Sequence, residues 1–155
     1  MKGESVLVPY GQVRTINRKD TIEFVGLYVC LAVALMNEAR STGAHVPIID
    51  SFCIFDDYGN ITKTSNFDEL MSNLFLEFGT ISDYDQAIIA GGVKGISSDK
   101  IIMIKNKLKD KGITKITTKG PHNKNVEWNV EVKAGRFNYN SRLYRPLNSR
   151  GEYSS

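Results

Sequence analysis

Two cysteines and two histidines are the residue types in this chain that could support nucleophilic catalysis. They are Cys30, Cys53, His45 and His122. A free thiol is only a few per cent ionised at neutral pH, so a catalytic cysteine needs a neighbouring base, and a nearby imidazolium lowers the thiol pKa. Cys30 and His45 each follow a glycine-containing turn candidate. Adjacent strand ends would therefore bring this thiol and this imidazole together.

Simpler interpretations exist for all four residues. Cys30 and Cys53 lie in apolar runs and fit small hydrophobic core residues, and His45 fits a core histidine whose polar atoms are satisfied. His122 follows Pro121 in a polar stretch and is predicted to be a solvated loop residue. Residue types alone leave the catalytic and the structural interpretations open.

The composition is that of one globular domain. The chain has 155 residues, of which 41% are hydrophobic and 24% charged, and this excludes wholesale disorder. A net charge of +3 is too small to drive nucleic-acid or membrane binding without clustering. Both cysteines lie in apolar runs, we find no legible targeting signal, and no apolar stretch reaches roughly 20 residues. These features favour a cytoplasmic protein. They are also compatible with export by a specialised secretion system.

The hydrophobic pattern predicts more strands than helices, in an α+β order. Asn66 followed by Glu69 predicts a helix over 67–78 that ends at Gly79, and a second helix begins near Ser97 or Ser98 with its lysines facing solvent. The run 24–35 fits either one strand buried on both faces or a strand that turns into a helix.

The C-terminal third is predicted to form a hairpin followed by a tail. Residues 126–132 alternate strictly between apolar and polar types, and Phe137 and Tyr139 continue the alternation on the partner strand. We expect a single domain over 1–140 and a polar, basic tail over 141–155. The arginines and tyrosines of that segment, and the lysines of 100–119, are interpreted as solvated surface, so we expect no nucleic-acid partner and no membrane insertion.

The residues around Cys30 and His45 resemble a known enzyme family. The run GLYVCLAVAL and the segment Gly43-Ala44-His45 resemble the cysteine and histidine motifs of the CheD family of chemoreceptor glutamine deamidases. The order of elements from residue 5 to residue 137, including the strand QAIIAGG and the closing turn Ala134-Gly135-Arg136, is similar as well. The spacing of the two residues is also similar to that in the catalytic domains of cytotoxic necrotizing factors.

The resemblance implies a fold and an activity. The implied fold has mixed β-sheets in a β-sandwich-like core flanked by helices. The implied enzyme is a cysteine-dependent hydrolase in which Cys30 is the nucleophile and His45 the base. It converts glutamine side chains to glutamate through a thioester and acts on methyl esters as well. No metal or cofactor is implied, and the partner is a protein substrate such as a chemoreceptor or another signalling protein.

One departure from the family concerns the residue that orients the histidine. The family has a threonine six residues before the cysteine, and this chain has Phe24 there. Thr21 or a main-chain oxygen is the expected substitute. This departure favours a first alternative, a catalytically silent binding module of the same fold. A second alternative is a delivered toxin or effector that deamidates a protein of another organism.

Further departures lie around the expected substrate path. Tyr28 and Val29 replace the glycine-serine pair that precedes the cysteine in the family, which alters the rim of the site. Gly91 and Gly92 are candidate positions for close approach of a substrate backbone, with a simple turn as the alternative.

Overall fold

The computed structural model describes residues 3–123, 126–133 and 136–143. Within these ranges the chain forms β1 (Ser5–Leu7), β2 (Val13–Asn17), β3 (Thr21–Leu27), β4 (Leu31–Met36), β5 (Arg40–Val46), β6 (Ser51–Phe55), β7 (Ile61–Asn66), α1 (Phe67–Phe78), β8 (Gln86–Gly91), α2 (Ser98–Asp110), β9 (Lys115–Lys119), β10 (Val126–Lys133) and β11 (Arg136–Leu143). No helix among these residues is long and apolar enough to cross a membrane.

The strands form two mixed sheets and one hairpin. The outer sheet has the order β1-β3-β10-β11, and the central sheet has the order β2-β5-β4-β8-β9. The strand β1 runs parallel to β3 and β8 runs parallel to β9, whereas the other pairings are antiparallel. The strands β6 and β7 pair separately. The predicted α+β class, with mixed sheets flanked by helices, is confirmed.

The central sheet is buried on both faces because two hydrophobic cores cover it. The inter-sheet core separates it from the outer sheet, and the helix-side core lies under α1, α2 and the β6–β7 hairpin. Successive side chains of a strand point to opposite faces, so β4 contributes to both cores. Its residues on the helix side are Leu31, Val33 and Leu35, and those on the inter-sheet side are Ala32, Ala34 and Met36.

The first helix matches its predicted boundaries. The Asn66 side chain accepts a hydrogen bond of 2.9 Å from the Glu69 amide, which satisfies one of the free N–H groups at the helix start. Gly79 ends the helix with φ of 91°, a conformation that side-chain-bearing residues rarely adopt.

The run 24–35 is neither of the two predicted elements, because it forms two strands in different sheets. The strand β3 ends at Leu27 and β4 begins at Leu31. Gly26 has φ of 66°, its amide donates to the Asn129 side chain, and the β3–β10 register shifts there. A bulge of this kind bends a strand, and the following turn carries the chain from the outer to the central sheet. Cys30 lies in that turn.

Two further expectations change in the structure. Lys100 on α2 is 5% exposed rather than solvated, because it pairs with Asp50 and lies 4.3 Å from the centre of the Phe67 ring. The hairpin of β10 and β11 is confirmed, and β11 continues to Leu143, three residues past the expected domain end. The predicted turn at 134–135 and the rest of the tail, 144–155, lie outside the described residues.

Candidate active site

His45 projects into the inter-sheet core near the end of β5. Its neighbours Ala44 and Val46 belong to the helix-side core, so alternation along the strand turns the imidazole to the other face. The edge of its ring faces Phe24, with 6.4 Å between ring centres.

Cys30 lies on the same face of the central sheet. The register of β4 and β5 places Ala32 opposite His45, and Cys30 comes two residues before Ala32. Cys30 packs against the inter-sheet core. Cys30 thus meets this core in the turn before β4, and β4 begins at Leu31, which pairs with Val46 at the end of β5.

The His45 ring is oriented by a main-chain oxygen. Its Nδ1 lies 3.2 Å from the carbonyl oxygen of Val8, which is buried. A carbonyl oxygen only accepts hydrogen bonds, so Nδ1 carries the proton and donates it. In the neutral imidazole this leaves Nε2 as the basic nitrogen.

The two expected orienting side chains differ in position. Phe24 lies beside His45, as the resemblance implies for that position, but its ring offers no hydrogen-bond acceptor. Thr21 precedes buried Ile22 by one position on β3, so it faces away from the inter-sheet core. Of the expected substitutes for the family threonine, the main-chain oxygen is the one that contacts the histidine.

Burial makes the resting pair neutral, contrary to the expected lowering of the thiol pKa. Removal from water raises the pKa of the Cys30 thiol to about 11. Burial also lowers the pKa of His45, and the hydrogen bond to Val8 opposes that change. A neutral thiol and a neutral imidazole at pH 7 suit proton transfer during the reaction rather than a preformed ion pair.

The lowered pKa of His45 predicts a loss of stability in mild acid. A base whose pKa is lower in the folded state stabilises the protein above its unfolded pKa of about 6.5, and this contribution is lost as the pH falls through the folded pKa. The free energy of unfolding, measured with urea, should therefore fall between pH 7.5 and pH 5. It should fall less in His45→Gln. An equal fall in the variant would contradict this assignment.

Tyr10 is a site residue that the sequence reasoning missed. It forms a parallel bridge with His45, and the two rings meet edge to face with 5.8 Å between centres. Burial raises the pKa of the Tyr10 phenol, and the charges of the Cys30 and Cys53 thiolates add to the rise. Tyr10 lies in the segment that connects β1 to β2.

Gly91 ends β8 and Gly92 follows it, and both let other parts of the chain approach closely. A Cβ on Gly91 would lie 2.9 Å from the carbonyl oxygen of Cys30, and a Cβ on Gly92 would lie 2.7 Å from Ser97. Both glycines are buried. These glycines thus allow close contact with the turn that carries the thiol and with the start of α2, while a role in admitting a substrate backbone stays a prediction.

Ser97 fastens the turn that carries Cys30. Its hydroxyl donates to the carbonyl oxygen of Val29 at 2.8 Å and accepts from the Val93 amide at 2.9 Å. Tyr28 and Val29 are half-buried in this turn. They thus directly precede the thiol in the same turn.

Replacing Ser97 with alanine should cost about 1–3 kcal/mol of unfolding free energy, because it leaves the buried Val93 amide without its partner. Urea unfolding measures this. The matched control is Ser98→Ala, whose hydroxyl accepts only a 3.3 Å bond from the exposed Gly95 amide and which should stay within about 0.5 kcal/mol of wild type. Equal losses in the two variants would contradict the role of Ser97.

The second cysteine and the second histidine lie outside the pair. Cys53 on β6 is half-buried, between Phe52 and Ile54, whose side chains enter the helix-side core. His122 is not the predicted solvated loop residue, because it is half-buried and stacks on Trp128 with 4.2 Å between ring centres. Across the described ranges, no three His, Cys, Asp or Glu side chains are grouped as metal ligands.

The described geometry is that of a half-buried thiol and an oriented imidazole that both face the inter-sheet core. Such an arrangement can perform acyl transfer with the imidazole as general base. In comparisons with known proteins, no family model matches the chain, and no curated protein matches it significantly.

Proposed function

We propose that the protein is a protein-glutamine deamidase in which Cys30 is the nucleophile and His45 the general base. The observation that carries the proposal is their placement on the same face of the central sheet, with the Nδ1 proton of His45 held by the Val8 carbonyl. The motif resemblance to the CheD family supports the choice of glutamine as the substrate side chain.

The first half-reaction forms a thioester and releases ammonia. His45 Nε2 takes the thiol proton of Cys30 while the sulfur attacks the side-chain carbonyl carbon of glutamine. The oxygen becomes negatively charged in the tetrahedral intermediate, and the backbone amide of Cys30 is the donor nearest to the attacking sulfur along the chain. The carbon–nitrogen bond then breaks, and the imidazolium returns the proton to the leaving nitrogen.

The second half-reaction hydrolyses the thioester. His45 Nε2 removes a proton from water as the oxygen attacks the thioester carbon. The carbon–sulfur bond breaks, the thiolate of Cys30 recovers the proton, and the product is a glutamate side chain that contains one solvent oxygen. A glutamyl methyl ester would react by the same steps with methanol as the leaving group.

The neutral resting state sets a requirement for this chemistry. A thiol with a pKa of about 11 is a weak nucleophile at neutral pH until its proton is taken. Proton removal must therefore accompany attack, and we assign His45 as the base. The two free cysteines suit a reducing compartment, and we place the activity in the cytoplasm of the producing cell or of a recipient cell.

A second candidate function is a binding module without catalysis. The high pKa of the Cys30 thiol and the phenylalanine beside His45 favour it. A module of this kind would bind its partner protein equally well as wild type and as Cys30→Ser, and it would release no ammonia.

The test is incubation of a cell lysate with the protein in heavy-oxygen water, followed by mass spectrometry of peptides and an ammonia assay. We expect specific glutamines to become glutamates that carry one heavy oxygen, with one ammonia released for each. Ammonia release without heavy oxygen in the product would contradict hydrolysis of a thioester. No glutamine conversion in any lysate protein would favour the binding module.

A further inference from the structure

A second polar site lies at the end of the sandwich opposite to Cys30. Arg18 lies in the turn between β2 and β3, Glu38 in the turn between β4 and β5, and Lys133 and Arg136 where β10 ends and β11 begins. Since β4 runs from the Cys30 turn to the Glu38 turn, its length separates the two sites. We call this site the turn-end groove, lined by Arg18, Glu38, Tyr84, Glu131, Lys133 and Arg136.

The groove consists of two adjoining cavities. One has a volume of about 490 Å³ and is lined by three basic residues, Arg18, Lys133 and Arg136, together with Glu38 and Glu131. The other has a volume of about 700 Å³, includes Tyr84, and shares Glu38 and Arg136 with the first. Volumes of this size are typical of small-molecule sites.

The charged side chains of the groove are not used in ion pairs within the described part of the chain. The ion pairs there are Lys63–Glu69, Lys100–Asp50 and Lys107–Asp68, and none includes a groove residue. The three cations at one end are therefore available to an anionic ligand. Arginine forms paired hydrogen bonds with phosphate oxygens.

The other end of the groove presents an aromatic ring on a fixed loop. Tyr84 is 81% exposed, and Lys115 Nζ lies 6.0 Å from the centre of its ring. The neighbouring Asp85 is buried and holds the loop by accepting hydrogen bonds from the Asn37 side chain at 3.0 Å and from the Ser82 amide at 2.7 Å. An exposed tyrosine on an anchored loop is a platform on which a planar ring can stack.

We propose that the turn-end groove binds a ribonucleotide. Its phosphates contact Arg18, Lys133 and Arg136, and its base stacks on Tyr84. Glu38 and Arg136 line both cavities, and the Glu38 carboxylate accepts hydrogen bonds from the ribose hydroxyls. Cations, a carboxylate and an aromatic ring are thus available to the phosphates, the sugar and the base of one ligand.

Titration calorimetry with ATP, ADP and AMP tests this proposal, with adenosine and tripolyphosphate as partial ligands. We expect saturable ATP binding and weaker binding of both partial ligands. Tyr84→Ala should lower the affinity for ATP about tenfold and leave the affinity for tripolyphosphate unchanged. Tyr84→Phe should bind ATP like wild type. Arg136→Ala should lower the affinity for ATP and the affinity for tripolyphosphate, each about tenfold.

The control variant is Lys94→Ala, which removes an exposed cation from the loop after β8, at the Cys30 end. It should bind ATP like wild type. Three results would overturn the proposal: no saturable binding of any nucleotide, equal binding of ATP by Tyr84→Ala and wild type, or equal weakening by Lys94→Ala and Arg136→Ala. Cys30→Ser should bind ATP normally, so the outcome is independent of the deamidase reaction.

Discussion

Replacing Cys30 with serine should reduce the rate of glutamine deamidation by roughly a thousandfold or more. A serine hydroxyl is a far weaker nucleophile than a thiol in the same place, and its loss of a proton to His45 is less favourable. The variant should stay folded, since the hydroxyl is similar in size to the thiol and this position is half-buried. Heavy-oxygen incorporation into a target glutamine measures the rate.

The chain supplies a matched control for this substitution. Cys53 is also a free, half-buried cysteine, but it lies on β6, outside the pair. Cys53→Ser should therefore keep the wild-type rate of deamidation. In His45→Ala this rate should fall by about 10²–10⁴-fold, the usual contribution of a general base. Full activity in Cys30→Ser would remove the nucleophile from the mechanism.

Replacing Leu74 with alanine should cost about 2–5 kcal/mol of unfolding free energy. Its side chain is completely buried in the helix-side core, where α1 packs on the central sheet. The truncation removes apolar contacts and leaves a cavity that close-packed neighbours fill only in part. Urea unfolding with a constant slope measures the change.

Leu76 on the same helix is the control for this prediction. It is 80% exposed, so Leu76→Ala should change the unfolding free energy by no more than about 0.5 kcal/mol. If the two variants lost equal stability, the face of α1 that packs on the sheet would be wrongly assigned.

The elements that sequence reasoning placed correctly are those with a strong local signal. The helix α1 has a capping residue at Asn66, a periodic apolar face and a terminal glycine, and β10 has strict alternation. Both patterns are set by the neighbours of each residue along the chain.

The division of residues 24–35 between β3 and β4 is determined instead by residues that are distant in the sequence. The continuous apolar run reflects burial of β3 and β4 in cores formed by other elements, and the bulge at Gly26 is completed by the Asn129 side chain. A local pattern carries no sign of these partners. Lys100 was misplaced for the same reason, because its ion pair with Asp50 connects α2 to a distant turn.

The candidate site was predictable to the extent that it depends on side-chain type. Cysteine and histidine are scarce in this chain, so Cys30 and His45 could be selected from the sequence. The Val8 carbonyl could not, because every residue has a carbonyl oxygen and the fold alone decides which one meets the ring. Tyr10 carried one usable signal, its place between Pro9 and Gly11, two residue types that are common in turns.

The pKa values of the pair also depend on the fold. Proximity of a thiol and an imidazole predicts a lowered thiol pKa when the two form an ion pair. Burial between the two sheets opposes both charges, which raises the pKa of Cys30 and lowers that of His45. The burial of Cys30 and His45 therefore determines that both groups are neutral at pH 7 before the reaction begins.

The most direct test of the Cys30–His45 pair is the pH dependence of iodoacetamide labelling at each cysteine, read by mass spectrometry in wild type and His45→Ala. If His45 takes the thiol proton, the labelling rate of Cys30 levels off once the imidazole is neutral, and it falls in His45→Ala, while Cys53 is unaffected. Because burial lowers the pKa of His45, this plateau should begin below the ordinary imidazole pKa of about 6.5. An isolated buried thiol would instead label about tenfold faster with each pH unit up to a pKa of about 11, equally in both proteins, and that result would contradict the pair.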